Sequence, residues 1–499
     1  MSEQIEHGPT PASAHGEHVD ARIDPFIWRV SFVVVLGSIM SILDTTIVNI
    51  ALATLSRELH ASIDQIQWVV TGYMLALAAV IPVTGWAARR FGAKRVYLLS
   101  VGLFTAGSAL CGLASSANEL IGFRVLQGVG GGMILPVGQL MMAEAAGPRR
   151  MGRVMSIVAV PAMLAPILGP TLGGVILQNV AWRWIFYVNV PIGVLAVIAA
   201  VRVLPSVPPK PTEALDYLGL ALMASGLPLL TYGLAEVGVS GGFGALRVLL
   251  PCLLGLGLIA AFALHALRAR RPLLELRLYR RSTFAAAQVA MFCLGAALFG
   301  AMILLPLYWQ EIRHESVIDT GLLTAPQGLG AALMMPLAGR LTDRLGGGPL
   351  ALAGVLLTAA MTIPFGFIGA HTPLLSLCLA MFGRGMGIGL AMVPAMTAAF
   401  AALAREELSD ATPQLNVLQR VGGSIGTAVL AVVLQRELRG AQTLASAASA
   451  YGIAFWWALG LAAVAIAPCA ILTIAERRAR AARGEGAHLG MSELAEAIS

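Results

Sequence analysis

The sequence predicts an all-α polytopic membrane protein with fourteen transmembrane helices. Charged residues make up only 12% of its 499 residues, whereas apolar residues make up 58% and the mean hydropathy is +0.80. Because soluble domains contain about 25% charged residues, this chain has too few polar side chains to cover water-soluble domains. It also contains fourteen apolar runs of the length that crosses a bilayer as a helix, which is about 20 residues.

Charged, glycine-rich or proline-rich breaks separate the predicted spans. In chain order the spans are residues 27–50, 66–87, 96–115, 119–142, 154–177, 184–204, 216–236, 246–267, 283–307, 319–339, 350–370, 374–398, 412–434 and 450–474. With both termini in the cytoplasm, the inner loops hold 24 Lys and Arg residues and the outer loops hold 6. The positive-inside rule therefore selects this orientation, and it explains the net charge of +7 without a nucleic-acid partner.

The two halves of the chain carry matching motifs, which indicates a transporter built from repeats. Residues 85–92 (GWAARRFG) follow span 2, and residues 339–346 (GRLTDRLG) follow span 10. Because these motifs lie eight spans apart, two six-helix bundles leave spans 7 and 8 as an insert. The predicted domains are a cytoplasmic tail at 1–25, an N-terminal six-helix bundle at 26–204, a two-helix insert with cytoplasmic linkers at 205–281, a C-terminal six-helix bundle at 282–474 and a cytoplasmic tail at 475–499.

Asp44 is the acid that lies well inside a predicted span. A helix rises about 1.5 Å per residue, so Asp44 in span 1 and Arg124 in span 4 lie roughly 9 Å and 6 Å below the outer face and can meet. An aspartate beside an arginine stays ionised, whereas an aspartate moved into drier, unpaired surroundings takes up a proton. We predict that this pair couples transport to proton movement. A purely structural ion pair is the alternative.

Span 5 combines prolines with small residues. Pro161 and Pro166 precede the run 169–174 (GPTLGG). Prolines interrupt the hydrogen bonds of a helix and glycines let neighbouring helices approach closely, so this span should be both bent and closely packed. In span 4, Gly128 and Gly132 are four residues apart and predict another close helix contact.

Several segments together resemble the major facilitator superfamily, and within it the fourteen-span drug-proton antiporters of the EmrB/QacA type. The segments are 43–52 (LDTTIVNIAL), 85–95 (GWAARRFGAKR), 124–128 (RVLQG), 169–174 (GPTLGG), 182–193 (WRWIFYVNVPIG) and 416–423 (NVLQRVGG). They occur in the order expected for that family, and the resemblance covers nearly the whole membrane portion.

The resemblance implies a major facilitator fold with a central cavity, alternating access, and export of small molecules in exchange for protons. It implies no cofactor and no enzymatic activity. Asp44 and Arg124 match the family's membrane-embedded acid and its arginine. The antiporter hinge is assigned to Gly169, Pro170, Gly173 and Gly174. The cytoplasmic gate loop comprises Gly85, Arg89, Arg90, Gly92, Lys94 and Arg95, with Asp343 and Arg344 in the second copy.

Two positions depart from the family pattern. Arg89 stands where the superfamily usually has an aspartate, so the usual contact of that carboxylate is not expected here, although Asp343 supplies one in the second copy. Ala53 stands where family members commonly have proline, which removes the reason for a kink at that point.

Polar, aromatic and methionine side chains in the spans are candidates for the substrate cavity, because a soft, adaptable lining suits varied substrates. The set is Asn49, Gln127, Gln288, Trp309, Gln310, Met386, Asn416 and Arg420. Arg384 and Arg420 lie near mid-depth and are expected to hold helices together, with Arg420 pairing with backbone carbonyls or another span. The surplus of arginines also leaves an anionic or zwitterionic substrate open.

The favoured function is export of drugs or other small amphipathic molecules from a bacterial plasma membrane by a monomeric transport unit. The expected partners are the substrate, protons, the lipid bilayer and, in bacteria with two membranes, a periplasmic adaptor protein. An exporter of a specific metabolite, lipid or siderophore on the same scaffold is the alternative. An embedded enzyme or sensor is disfavoured, and no metal site is expected, because no histidine lies deep in a span beside a second catalytic or metal-ligating group.

Overall fold

The computed structural model describes residues 24–147, 150–205, 214–240 and 242–482. Within these ranges the chain is helical and contains no β-strand, which confirms the all-α class. The first seven helical segments are α1 (Pro25–Glu58), α2 (Ile63–Phe91), α3 (Ala93–Leu113), α4 (Ala117–Ala146), α5 (Met151–Asn179), α6 (Trp184–Val203) and α7 (Tyr217–Ser240). The other seven are α8 (Leu246–Arg268), α9 (Ser282–Ile312), α10 (Val317–Leu345), α11 (Gly347–Phe367), α12 (Leu374–Ala401), α13 (Arg405–Arg439) and α14 (Leu444–Ala481).

Twelve of these segments are long and apolar enough, over their described residues, to cross a membrane. Helices α5 and α10, each 29 residues long, complete the predicted fourteen. With fourteen crossings, α1 begins and α14 ends on the same side of the membrane, which we call the terminal face. The opposite side is the far face. The domain boundaries stay a prediction, and residues 1–23 and 483–499 of the two tails lie outside the described residues.

Hydroxyl side chains begin four helices that enter the membrane from the far face. The Oγ atoms of Ser62, Ser116 and Ser316 accept backbone N–H bonds from three residues further on, at 3.2, 3.3 and 3.1 Å. Thr443 caps α14 in the same way at 3.1 Å. Each such cap contributes about 1 kcal/mol to helix stability, so these side chains fix where α2, α4, α10 and α14 start.

Glycines form the same turn in both halves at the terminal face. Gly92 joins α2 to α3 with a φ of 87°, and Gly346 joins α10 to α11 with a φ of 96°. This left-handed region is open to glycine and strained for most other residues. The repeat in the sequence is therefore also a repeat of backbone conformation.

The two bundles, α1–α6 and α9–α14, share an apolar core only toward the terminal face. There, one large buried cluster includes residues of both bundles, such as Met142 of α4 and Phe284 of α9. Toward the far face each bundle has a buried cluster of its own, one containing Phe186 of α6 and the other Tyr308 of α9. The bundles therefore share a buried apolar core at the terminal face, whereas toward the far face each has a core of its own. Helices α5 and α10 still touch there, since a β-carbon added at Gly174 would lie 3.1 Å from Ile318.

Helices α7 and α8 form the predicted insert and pack against both bundles. The Trp68 ring of α2 stacks on Tyr232 of α7 with 5.9 Å between the ring centres. Val237 of α7 shares a buried cluster with Ala428 of α13. The insert therefore occupies the gap between α2 and α13.

Gly128 and Gly132 allow α4 to touch the backbone of α2. A β-carbon added at Gly128 would lie 2.5 Å from the carbonyl oxygen of Tyr73, and one added at Gly132 would lie 2.7 Å from that of Leu77. Real β-carbons do not approach backbone atoms so closely, so the close contact expected from the sequence is present.

Gly128→Val is expected to lower the melting temperature of the purified protein, because the added side chain forces α4 and α2 apart at a cost of about 1–3 kcal/mol. Gly122→Val on the same helix is the matched control, since an added β-carbon there has nothing within 4 Å. Thermal unfolding followed by intrinsic fluorescence measures both. Identical melting of the two variants would contradict the close packing of α2 and α4.

Candidate functional site

A fully buried ion pair joins α1 to α4. Arg124 Nη1 donates to Asp44 Oδ2 at 2.5 Å, and both side chains are 0% exposed. The other carboxylate oxygen, Asp44 Oδ1, accepts hydrogen bonds from Gln127 Nε2 at 2.9 Å and from Asn189 Nδ2 at 3.0 Å. One carboxylate therefore connects α1, α4 and α6.

The same arginine also contacts α2. Arg124 Nε donates to the carbonyl oxygen of Val69 at 3.1 Å, and the guanidinium carbon lies 4.1 Å from the centre of the Tyr73 ring. Arg124 Nη1 also donates to Gln127 Oε1 at 2.8 Å. Among the described residues, Arg124 Nη2 has no hydrogen-bond partner. The positive charge is thus stabilised by oxygen acceptors and an aromatic face as well as by Asp44.

Asn189 and Tyr73 complete the site and were not among the predicted site residues. Asn189 also donates to Ser108 Oγ at 3.1 Å, and Ser108 donates to the carbonyl oxygen of Phe186 at 2.9 Å, so the amide is held in place from α3. A signal for Asn189 was available, because it is an amide in an apolar span two residues before Pro191. For Tyr73 no comparable signal exists, because its role depends on how α2 packs against α4.

A proton bound at Asp44 would act directly on this arrangement. Protonation turns the carboxylate into a neutral acid and removes the charge with which Arg124 pairs. Separating a buried ion pair costs about 3–5 kcal/mol, which is enough to change the relative stability of two helix arrangements. Loss of the Asp44 charge would therefore weaken the attraction between α1 and α4.

At the terminal face, the first motif (residues 85–92), which lies at the end of α2, contacts the opposite bundle. Arg89 forms an ion pair with Asp410 of α13, and Arg89 Nη1 donates to Ser409 Oγ at 2.9 Å. Gly85 lies directly against the backbone of Ser409. The contact that was not expected at Arg89 is therefore present with its charges reversed, because α13 supplies the acid.

The second copy of the motif makes the corresponding contact. Asp343 Oδ1 accepts a hydrogen bond from the backbone N–H of Gly152 at 3.0 Å, and Asp343 Oδ2 lies 3.3 Å from Arg153 Nε. The backbones of Gly152 and Gly339 are in direct contact. A carboxylate at the N-terminus of α5 also interacts favourably with the helix dipole. Each motif thus binds the bundle opposite to its own.

A further hydrogen bond connects the bundles deeper in the membrane. Asn416 Nδ2 of α13 donates to Gln139 Oε1 of α4 at 2.8 Å. Together with the two motif contacts, it closes the path between the bundles at the terminal face. We call the region between the bundles on the far-face side of this contact the cleft, and the Asn416–Gln139 contact its floor.

Another residue of the predicted gate loop contacts its own bundle. Lys94 Nζ donates to the carbonyl oxygens of Val201 and Leu204 at the end of α6, at 2.9 and 2.5 Å. The loop side chains exposed at this face are Arg90, Arg95 and Arg344.

The family model for the Major Facilitator Superfamily matches residues 34–427 of the chain. The chain belongs to the major facilitator superfamily. It is 41% identical over 442 residues to the Multidrug resistance protein B homolog of Mycobacterium tuberculosis (strain ATCC 25618 / H37Rv), with 88% of this chain and 81% of that protein covered. It is 30% identical over 400 residues to the Multidrug export protein EmrB of Haemophilus influenzae (strain ATCC 51907 / DSM 11121 / KW20 / Rd), with 79% and 78% covered.

Solved structures of the superfamily have the same fold. The human organic anion transporter MFSD10 (TETRAN) matches with a TM-score of 0.63 at 17% identity, covering 89% of this chain and 99% of that one. The proton:xylose symporter XylE matches with a TM-score of 0.61 at 14% identity, covering 88% and 94%. The predicted fold and family are therefore confirmed. As a member of this superfamily, the chain is a membrane-embedded transporter of small molecules and not an enzyme.

The glycines of the predicted antiporter hinge place α5 against α1 of its own bundle and against α10 of the other. Gly169 contacts Thr46 of α1, and a β-carbon added at Gly173 would lie 3.3 Å from Ile47 of α1. One added at Gly174 would lie 3.1 Å from Ile318 of α10. The backbone of α5 is helical through Pro170, whose side chain is outside the described part of the structure. The hinge role of these residues stays a prediction.

The cavity candidates occupy different environments. Asn49 and Gln310 are exposed, whereas Met386 and Arg420 are partly exposed. The buried candidates are Gln127 in the Asp44 site, Asn416 in the floor, and Gln288 and Trp309. Among the described residues, neither the Gln288 amide nor Trp309 Nε1 has a hydrogen-bond partner.

The two mid-depth arginines also differ. Arg384 is buried and donates to Gln327 Oε1 at 2.8 Å, to Thr362 Oγ1 at 3.3 Å and to the carbonyl oxygen of Ala297 at 3.4 Å. Arg420 was expected to pair in a similar way. Instead, it forms no hydrogen bond or ion pair with any residue that the structure describes.

Arg89→Asp is expected to loosen the terminal face, because it places two acids together where an ion pair now joins the bundles. The pair is partly exposed, so its loss costs only about 1 kcal/mol, roughly a fivefold change in population. Maleimide labelling of Ser156→Cys, a buried position close to Gly339, measures the opening.

The matched control for this experiment is the charge-swapped double variant Arg89→Asp/Asp410→Arg. It restores an ion pair and is expected to return the labelling of Ser156→Cys to the parent level. Labelling of the native cysteines is measured in matching proteins that keep Ser156 and is subtracted. Labelling that stays high in the double variant would contradict a latch formed by this pair.

Proposed function

We propose that this transporter exports drugs or other small amphipathic molecules across the bacterial plasma membrane in exchange for protons. The observation that carries the proposal is the buried Asp44 carboxylate, which is shared by three helices and paired with Arg124. The names of the relatives from Mycobacterium tuberculosis and Haemophilus influenzae support drugs as substrates and a bacterial membrane as the location. The positive-inside rule assigns the terminal face to the cytoplasm.

In this assignment the described structure is outward-facing. The bundles are joined at the cytoplasmic side, so protons would reach Asp44 from the outside. Proton uptake neutralises Asp44 and weakens its attraction for Arg124, and the pair then separates. Proton release to the cytoplasm in the inward-facing state restores the pair and allows the next cycle.

Helix α5 transmits this change between the bundles. Its small residues contact α1 within one turn of Asp44, and Gly174 contacts α10 of the other bundle. A shift of α1 therefore moves α5 against α10. The Arg89–Asp410 and Asp343–Gly152 contacts must break for the cytoplasmic side to open, which gives both motifs the role of a latch.

The substrate is proposed to bind between the bundles, where Asn49, Met386 and Arg420 retain exposed surface. An exporter of one metabolite, lipid or siderophore on the same scaffold would use the same cleft. A monomeric transport unit, protons as the only coupling ion and a periplasmic adaptor protein remain predictions. A panel of substrates tested for stimulated proton exchange in vesicles separates the broad exporter from the narrow one.

Asp44→Asn is expected to abolish efflux driven by a pH gradient, because the amide keeps the shape of the side chain and cannot carry the proton. Purified protein in proteoliposomes with an imposed pH gradient measures this, using a fluorescent drug. Exchange of labelled for unlabelled drug without a gradient should persist, which shows that the variant folds and binds.

The control is Asp64→Asn, which removes an exposed acid at the start of α2. It is expected to leave gradient-driven efflux within about twofold of the parent. Undiminished gradient-driven efflux by Asp44→Asn would rule out Asp44 as the proton carrier.

A further inference from the structure

The membrane interior carries more positive than negative charge. Among the described residues, the charged side chains away from the helix ends are Asp44, Arg124, Arg384 and Arg420. Asp44 neutralises Arg124, so two guanidinium groups have no acid. A cation in an environment of low dielectric constant attracts anions much more strongly than a cation in water.

Arg384 is not available to a ligand. It is 2% exposed, and all three of its nitrogen atoms donate to neutral oxygens inside the C-terminal bundle, on α9, α10 and α11. Its charge nevertheless adds to the positive potential of that bundle. Its hydrogen bonds make it a structural residue.

Arg420 is available to a ligand. It is partly exposed, and none of the described residues is bonded or ion-paired to it.

The position of Arg420 along α13 places it at the bottom of the cleft. Asn416, which forms the floor with Gln139, lies four residues earlier and therefore on the same face of the helix. Arg420 is one turn nearer the far face and stands directly above the floor.

The α13 residues within about one turn of Arg420 carry or contact both polar and apolar exposed surface. Ser424, one further turn along the same face, is partly exposed. Phe299 of α9 packs against Gly423 and is 39% exposed. Small-molecule sites have this composition, with a few polar groups that fix orientation on a mainly apolar lining.

We propose that Arg420 binds the anionic group of the transported molecule, so that the preferred substrates are amphipathic organic anions such as aromatic carboxylates. This inference rests on the proposed function and specifies its substrate class. A guanidinium binds a carboxylate through two parallel hydrogen bonds, which gives both affinity and orientation. Asp44 stays paired with Arg124 while the anion binds, because Arg420 has its full hydrogen-bonding capacity free.

The charge of such a substrate has an energetic consequence. Export of one anion in exchange for one incoming proton moves two charges in the same electrical direction. A membrane potential that is negative inside therefore acts on two charges in each exchange cycle. Exchange of a monovalent cation for a proton moves no net charge, so the potential does not drive it. Substrates with an anionic group would therefore be exported more steeply under the same potential.

Binding to the full-length protein in nanodiscs of zwitterionic lipid tests the proposal. The probes are pyrenebutyrate and its methyl ester, which share an apolar body and differ in charge, and empty nanodiscs supply the background. The parent protein is expected to bind the carboxylate about tenfold more tightly than the ester, the factor typical of one charge-assisted hydrogen-bonded contact. Equal affinity for the two probes would overturn the proposal.

Substitutions of Arg420 test whether this residue causes the preference for the carboxylate. Arg420→Gln is expected to remove the preference for the carboxylate and to leave ester affinity within about twofold, whereas Arg420→Lys retains part of the preference. Arg57→Gln, at the exposed far end of α1, is the matched control and should bind both probes like the parent. A preference that survives Arg420→Gln would assign the anion to another group and overturn the role of Arg420.

A transport measurement separates this inference from the proposed function. If the ester is exported in response to a pH gradient and the carboxylate is not preferred, the exporter stands and the anion specificity fails. If neither probe responds to a pH gradient while the carboxylate still binds through Arg420, the proton-coupled function fails and the binding site stands.

Discussion

The structure depends on one buried ion pair. The opposite charges of Asp44 and Arg124 stabilise each other in the membrane interior, and each side chain has further partners that fix its position. The requirement explains several features of the sequence at once. Gly128 gives α2 access to α4, Tyr73 covers the guanidinium, and Asn189 breaks the apolar pattern of α6 to reach the carboxylate. The helices of the N-terminal bundle are therefore arranged around a charge.

The contacts at the terminal face follow a different rule, because their charges are interchangeable. Asp343 binds a helix N-terminus and an arginine, whereas Arg89, at the matching position of the first half, binds an acid on α13. Either sign serves if the partner is complementary, since these groups are partly exposed and their individual energies are small. What the two halves share is the close approach of glycine backbones, at Gly85 and at Gly339.

Much of this fold could be predicted from the sequence, since each helix must supply its own apolar length to cross the bilayer. The Asp44–Arg124 contact was also predictable, because both residues lie at a similar depth and a lone acid needs a partner. The ion pair of Arg89 could not be predicted. Its acid, Asp410, lies 321 residues away on a helix whose rotation about its axis is not defined by the hydropathy pattern. The same uncertainty about helix rotation explains why Arg420 was expected to have a partner and has none among the described residues.

The insert has a mechanical consequence. Helix α7 stacks on Trp68 of one bundle and packs on Ala428 of the other. It therefore spans the interface along which the two bundles would move past each other during alternating access. Rocking of the bundles must slide one of these two surfaces, or carry the two extra helices along with a single bundle. Because α7 occupies this side of the molecule, a hydrophobic cargo that enters sideways from the bilayer would have to use the opposite side.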